Sequence, residues 1–341
     1  MDVFDAIQAG VKQLVRRRRA RRGRPLRPSW SEDYEAFAEM LRVYAHLAHR
    51  TPLALQRGLA ERFLRDGEVA ARTRREPVRA RGVPGSWLVP SGVDAARAGV
   101  LLYLHGGGYA IGSAASHREP ICRLCEAAGT AGLAIDYRLA PEHRFPAQLH
   151  DAVAAYRWLL DRGIAPSRIA IAGESAGGGL TLSTLLWLRD HDVPLPRAAV
   201  LISPWLDLEG GPSVAAHRRF DFILAETLAG YRGHFADPSD WRDPLAAPLY
   251  ADPRGLPPLL VQVGGAEALL DDSLRFAAAV EEAGGSIDLR VAPDMIHAWH
   301  LFAARLPEGQ RAIEEAGAFI AGALEPKDAA HGGRPARERV D

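Results

Sequence analysis

The chain has 341 residues, 48% apolar and 25% charged, an ordinary balance for a folded protein with room for a large core. Its 42 basic residues meet 42 acidic ones, so bulk electrostatics selects neither nucleic acid nor an acidic partner. Two cysteines exclude a disulfide framework, and no run approaches the ~18 apolar residues of a membrane span.

The first fifteen residues carry an apolar stripe at helical spacing, Phe4, Ile7, Val11, Leu14 and Val15, and Arg16–Arg24 then holds seven arginines. A solvated helix end or mobile arm is the favoured reading of that run; a basic anchor on an anionic membrane is the alternative. Asp2 and Asp5 precede the arginines, which does not fit a secretory signal, and a cytoplasmic location is expected. Ser31 is placed to cap a helix carrying Tyr34, Phe37, Leu41, Tyr44 and Leu47, and a second helix follows Pro52 to about Leu64. Strands and helices then alternate. Ser86–Val89, Val100–Leu104, Leu133–Ile135, Arg168–Ala172, Ala198–Ile202, Leu259–Val263 and Ile287–Val291 read as strands. Helices are expected at about 118–128, 147–162, 271–283 and 309–324, and one follows the strand at Ala172. Cys122 and Cys125 form C-x-x-C inside the first of these and are expected to be packed or surface thiols with no redox or metal role. This alternation predicts a mostly parallel sheet covered on both faces. Residues 205–250 interrupt it with an aromatic, partly helical insertion, and the polar tail from 326 to 341 is expected to be disordered.

The chemistry-bearing motifs lie at strand ends. Gly173-Glu174-Ser175-Ala176-Gly177 fits G-x-S-x-G between a strand and a helix, the context of a nucleophile elbow. A serine on so tight a turn needs neighbours without a Cβ, and Gly173 and Gly177 supply them. His105-Gly106-Gly107-Gly108 ends an earlier buried strand and reads as an oxyanion loop, with the N–H groups of Gly106 and Gly107 joining that of Ala176. The histidine should come last in the chain, and His297 follows the last strand; His300 is the competitor. The acid should follow the preceding strand, where Glu267 lies nearer the strand end. Asp271 and Asp272 are the other candidates; Asp271 comes second, with helix capping as its plainer role.

Taken together, HGGG, DYRLAPEH (Asp136–His143), GESAG, LLDD behind a strand-proximal acid and a histidine before the last helix resemble the bacterial hormone-sensitive lipase family of α/β-hydrolases. The resemblance spans about Leu101 to Ile320. The family has aspartate where Glu267 stands and proline where Ala268 stands. It implies an α/β-hydrolase fold with a helical cap: residues 1–80 and 205–250 as cap, 81–204 and 251–325 as core. It also implies Ser175 as nucleophile, His297 as base and Glu267 as acid, with polar ties among Asp136, Arg138 and Glu142 supporting the loops.

The expected function is a carboxylesterase for short to medium acyl chains, with no metal or cofactor. Tyr109, Trp205, Phe222 and Tyr231 are candidates for the substrate pocket. A lactone hydrolase or small-metabolite deacetylase would use the same triad, and a small-molecule receptor on the same fold is the reading from another class. A homodimer is compatible with the resemblance.

Overall fold

The computed structural model describes residues 3–63 and 67–325. Four helices precede the sheet: α1 (Val3–Arg22), α2 (Glu32–Ala48), α3 (Leu53–Phe63) and the short α4 (Glu68–Ala71). The Ser31 hydroxyl accepts the Tyr34 N–H at 3.0 Å and so closes the first turn of α2. The arginine run folds back on that helix. Arg16 pairs with Glu32, Arg18 with Glu39, and both Arg19 and Arg22 with Glu35. These four guanidiniums are therefore engaged with α2 and do not form a free basic arm.

The remaining elements alternate. They are β1 (Arg74–Ala80), β2 (Val83–Val89), β3 (Val100–Leu104), α5 (Arg118–Ala128), β4 (Ala131–Ile135), α6 (Ala147–Asp161), β5 (Ile169–Glu174), α7 (Ala176–Asp190) and β6 (Ala198–Ile202). After them come α8 (Pro212–Ala216), α9 (Ala225–Phe235), β7 (Leu259–Gly264), α10 (Leu270–Glu282), β8 (Ile287–Ala292) and α11 (Pro307–Leu324). The strands form one eight-stranded sheet in the order β1-β2-β4-β3-β5-β6-β7-β8. Pairing is parallel from β4 to β8, while β1–β2 and β2–β4 are antiparallel.

β1 departs from the sequence expectation, which began the sheet at Ser86. Its sequence, RREPVRA, has no alternation of apolar residues because it is an exposed edge. Pro77 is tolerated there for the same reason. By contrast β3 to β7 are buried along their whole length, which is why they read as continuous apolar runs.

Leu149, Tyr156, Leu182, Leu185 and Phe276 of α6, α7 and α10 cover one face of the sheet. Ile121, Leu124, Ile313 and Ile320 of α5 and α11 cover the other. A third cluster joins Trp30, Tyr34, Phe37 and Leu41 to Ile296, Phe302 and Leu306, so α2 packs on the loop that carries His297. The expected disordered tail, 326–341, lies outside the described residues.

Candidate active site

β5 ends at Glu174, α7 begins at Ala176, and Ser175 takes the whole turn between them, with φ 56° and ψ −122°. A non-glycine residue holds such a conformation only where its surroundings over-determine it. Here the Ser175 N–H donates to the Ile202 carbonyl and the Ser175 carbonyl accepts the Trp205 N–H, both at 2.9 Å. The end of β6 thus clamps the elbow on both sides. A Cβ on Gly173 would strike the Gly177 carbonyl, and one on Gly177 would strike the carbonyls of Leu104 and His105. Backbones approach too closely at this turn for any larger residue.

His297 and Glu267 come together on the loops after β8 and β7. His297 Nδ1 lies 3.2 Å from Glu267 Oε1. Glu267 is fully buried, and its other oxygen accepts the Ser203 hydroxyl at 2.7 Å and the Gly264 N–H at 2.6 Å. Burial disfavours the charged imidazole, but the Glu267 hydrogen bond and charge, helped by Asp221, outweigh it and raise the His297 pKa. With Nδ1 held by Glu267, Nε2 is the ring nitrogen left to take a proton.

Asp271 and His300 are engaged elsewhere. Asp271 accepts the Ser213 N–H at 2.6 Å and so caps α8; it does not cap its own helix, whose N-cap is Leu269. His300 is buried with Nε2 3.0 Å from Gln262 Oε1, and burial pushes its pKa down to about 3.

The glycine loop after β3 corrects one assignment. The Gly106 N–H donates to Glu174 Oε1, so it is not free to meet a substrate oxygen. Gly107 and Gly108, with φ of 106° and 60°, face the cavity instead. Glu174 was not singled out from the sequence. It is fully buried and also accepts the Tyr103 hydroxyl at 2.5 Å and lies 3.0 Å from His117 Nε2. Burial opposes its charge, but these partners outweigh that and lower its pKa, while His117 rises in turn. The HGGG histidine, His105, is structural: it stacks on Tyr137 at 4.2 Å, and burial lowers its pKa to about 4.

The ties expected within DYRLAPEH run to other partners. Asp136 accepts the Ala114 N–H at 2.7 Å, Arg138 grips Asp151, and Glu142 pairs with Arg57 of α3. Arg57 also donates to the carbonyls of Ala110 and Ala140, which fastens α3 to the segment just after the glycine loop and to DYRLAPEH. Cys122 and Cys125 are free, buried thiols.

Ser175 and His297 open into one cavity of about 200 Å3. Trp205, Phe222 and Tyr231 line it, together with Leu41 and Tyr44 of α2. Tyr109 does not: it is 1% exposed and stacks on Phe235 at 3.7 Å between centroids. Its φ of 61° turns it into the core.

A family model described as the alpha/beta hydrolase fold matches residues 101–301. The chain belongs to this family. An acetyl-hydrolase of Streptomyces hygroscopicus is 47% identical to this hydrolase over 236 residues, covering 69% of this chain and 78% of that one. An ethyl acetate hydrolase of Pseudomonas putida is 36% identical over 213 residues, 60% of this chain and 67% of its own. The crystal structure of an esterase from the bacterial hormone-sensitive lipase family superposes with a TM-score of 0.79 at 42% identity, covering 84% of this hydrolase and 98% of that chain. These likenesses put the hydrolase in the hormone-sensitive lipase branch of the fold. No described helix is long and apolar enough to cross a membrane.

Proposed function

We propose that this hydrolase cleaves carboxylic esters of short to medium acyl length through an acyl-enzyme on Ser175. His297 Nε2 takes the Ser175 proton as Oγ attacks the ester carbonyl. Glu267 holds Nδ1, fixes the tautomer and stabilises the imidazolium. The oxyanion is met by the amides of Gly107, Gly108 and Ala176, while Gly106 anchors the loop through Glu174. The C–O bond then breaks, the alcohol leaves with the proton from His297, and the acyl group stays on Oγ. Water, deprotonated by His297, attacks the acyl carbon; the acid departs and Ser175 regains its proton.

The observation that carries this reading is that a serine on a strained elbow shares one cavity with a histidine whose Nδ1 is held by a buried glutamate. In the same reading residues 1–80 and 205–250 act as a cap over the core 81–204 and 251–325. Its cavity of about 200 Å3 and relatives named acetyl-hydrolase and ethyl acetate hydrolase favour a small acyl group, and with it a deacetylase role. Two free thiols fit a cytoplasmic setting.

Hydrolysis of p-nitrophenyl esters from acetate to laurate, by wild type and Ser175→Ala, tests this. Turnover greatest on acetate or butyrate and abolished by Ser175→Ala is expected. Turnover unaffected by that substitution would reject it.

A further inference from the structure

Asp221 lies between α8 and α9, in the segment that shapes the substrate cavity, yet the groups it holds belong to the catalytic loops. It is 0% exposed. Its Oδ1 accepts the His297 N–H at 3.1 Å and the Phe222 N–H at 2.8 Å; its Oδ2 accepts the Ala268 N–H at 2.7 Å. Ala268 directly follows Glu267. One carboxylate therefore grips the backbones of both loops whose spacing sets the Glu267–His297 bond.

Neutral acceptors could also meet those amides, through weaker bonds. A buried charge is costly unless something offsets it, and no lysine or arginine pairs with Asp221 among the described residues. Burial pushes its carboxyl up to about 6, and the group that opposes this most is His297. The charged and titratable groups around His297 are Glu267 at Nδ1, Asp221 behind its backbone, Glu174 across the site, and His300. Tyr34 adds a hydroxyl that accepts the neighbouring Ile296 N–H at 3.2 Å and stays protonated, its pKa raised by burial. The positive charge created during turnover thus forms between two carboxylates, only one of which touches the ring.

We propose that Asp221 is a positioning residue for the catalytic pair: it fixes the spacing of the two loops through the Ala268 and His297 amides, and its charge favours the imidazolium form of His297. The proposal rests on the triad reading given above. It also joins pocket to chemistry, because Phe222 lines the cavity and meets the His297 ring at 5.9 Å, one residue from the carboxylate that holds the base.

Asp221→Asn keeps the shape and removes the charge, while its NH2 takes the place of one acceptor oxygen and leaves one side of the grip without an acceptor. The measurement is the pH profile of kcat/KM, with kcat and KM taken separately, beside stoichiometric labelling of Ser175 by a serine-directed phosphonate. We expect kcat to fall about tenfold or more with KM nearly unchanged. The acid limb should move down by about half a pH unit or more, because losing a nearby negative charge lowers the His297 pKa. Asp221→Glu should return the acid limb toward wild type. A purely structural role would lower stability and leave the acid limb in place. Asp221→Ser, which keeps an acceptor without the charge, gives the same test if the asparagine variant misfolds. An unmoved acid limb with Ser175 still labelled overturns this proposal alone. Failure of the phosphonate to label wild type overturns the triad reading and this proposal with it.

Discussion

Ser203 donates its hydroxyl proton to Glu267 at 2.7 Å, and the same oxygen accepts the Ala298 N–H at 3.0 Å. Ser203 directly follows β6, so one hydroxyl links the end of that strand to Glu267 and to the residue after His297. Removing it leaves a buried carboxylate with one fewer donor, a loss of about 1.5–3 kcal/mol for a bond to a charged group. Ser203→Ala should therefore cost about 2 kcal/mol of stability. The freed carboxylate should also lower kcat several-fold. Urea unfolding and ester kinetics on one preparation measure both.

Glu267 and Asp271 separate cleanly by substitution. Glu267→Gln removes the charge that holds His297 in its tautomer and should lower kcat by about 10^3- to 10^4-fold, as loss of a triad acid does elsewhere. Asp271→Asn weakens the cap on the Ser213 N–H and should cost about 1 kcal/mol of stability, with kcat changed less than about threefold. Steady-state kinetics and thermal melts on the two variants check the pair; the reverse pattern would move the acid to Asp271.

Glu174 anchors Gly106, so the glycine loop depends on the carboxylate next to Ser175. In Glu174→Ala the Gly106 amide and His117 lose their shared acceptor. Misplacing the adjacent Gly107 and Gly108 donors should lower kcat by about 10^2-fold, comparable to deleting one oxyanion donor. Because the missing contact matters at the tetrahedral stage, KM should change little. Separate kcat and KM on p-nitrophenyl acetate test this.

How much of the site was legible in the sequence follows from how local each requirement is. The elbow was legible because Gly173 and Gly177 answer clashes within one five-residue turn. Glu267 was legible because its reach to His297 starts at a strand end, the place where the fold collects catalytic groups. The Gly106 assignment failed because the loop's curvature is set by Glu174, 68 residues away. Asp221 went unnoticed for the same reason: its partners lie 47 and 76 residues on, and a carboxylate that accepts backbone amides leaves no pattern in the chain. Tyr109 sits beside the glycines that line the cavity, but its positive φ turns it inward, which residue type does not signal. β1 hid because an exposed edge needs no apolar face.

Tyr109 and Tyr231 should respond differently to truncation. Tyr109 is core, stacked on Phe235, so Tyr109→Ala should cost about 3–5 kcal/mol without shifting chain-length preference. Tyr231 lines the cavity, and its ring packs where a side chain on Gly108 would stand. Tyr231→Ala opens space beside the oxyanion loop and should move the optimum toward longer acyl chains by raising kcat/KM for hexanoate and octanoate relative to acetate. An unchanged chain-length profile in Tyr231→Ala would count against its pocket role.

Asp272 gives the stability a pH dependence whose sign is set by burial. It is fully buried, accepts the Leu206 and Asp207 N–H groups at 2.8 and 2.9 Å, and burial pushes its carboxyl up to about 7. Its unfolded value is near 3.9. Between those values the folded state binds a proton that the unfolded state has lost, so this group's contribution to stability falls as pH rises from about 4 to about 7. Asp207, next along and also buried, pairs with Arg275 and reinforces the effect by like-charge repulsion. In Asp272→Asn the amide oxygen still accepts the two backbone N–H groups, and there is no proton to lose. The stability of the variant relative to wild type should therefore increase from pH 5 to about pH 7 and level off toward pH 8. Urea midpoints for both proteins across that range measure the difference, and a constant offset would mean that Asp272 is ionised in the folded state throughout.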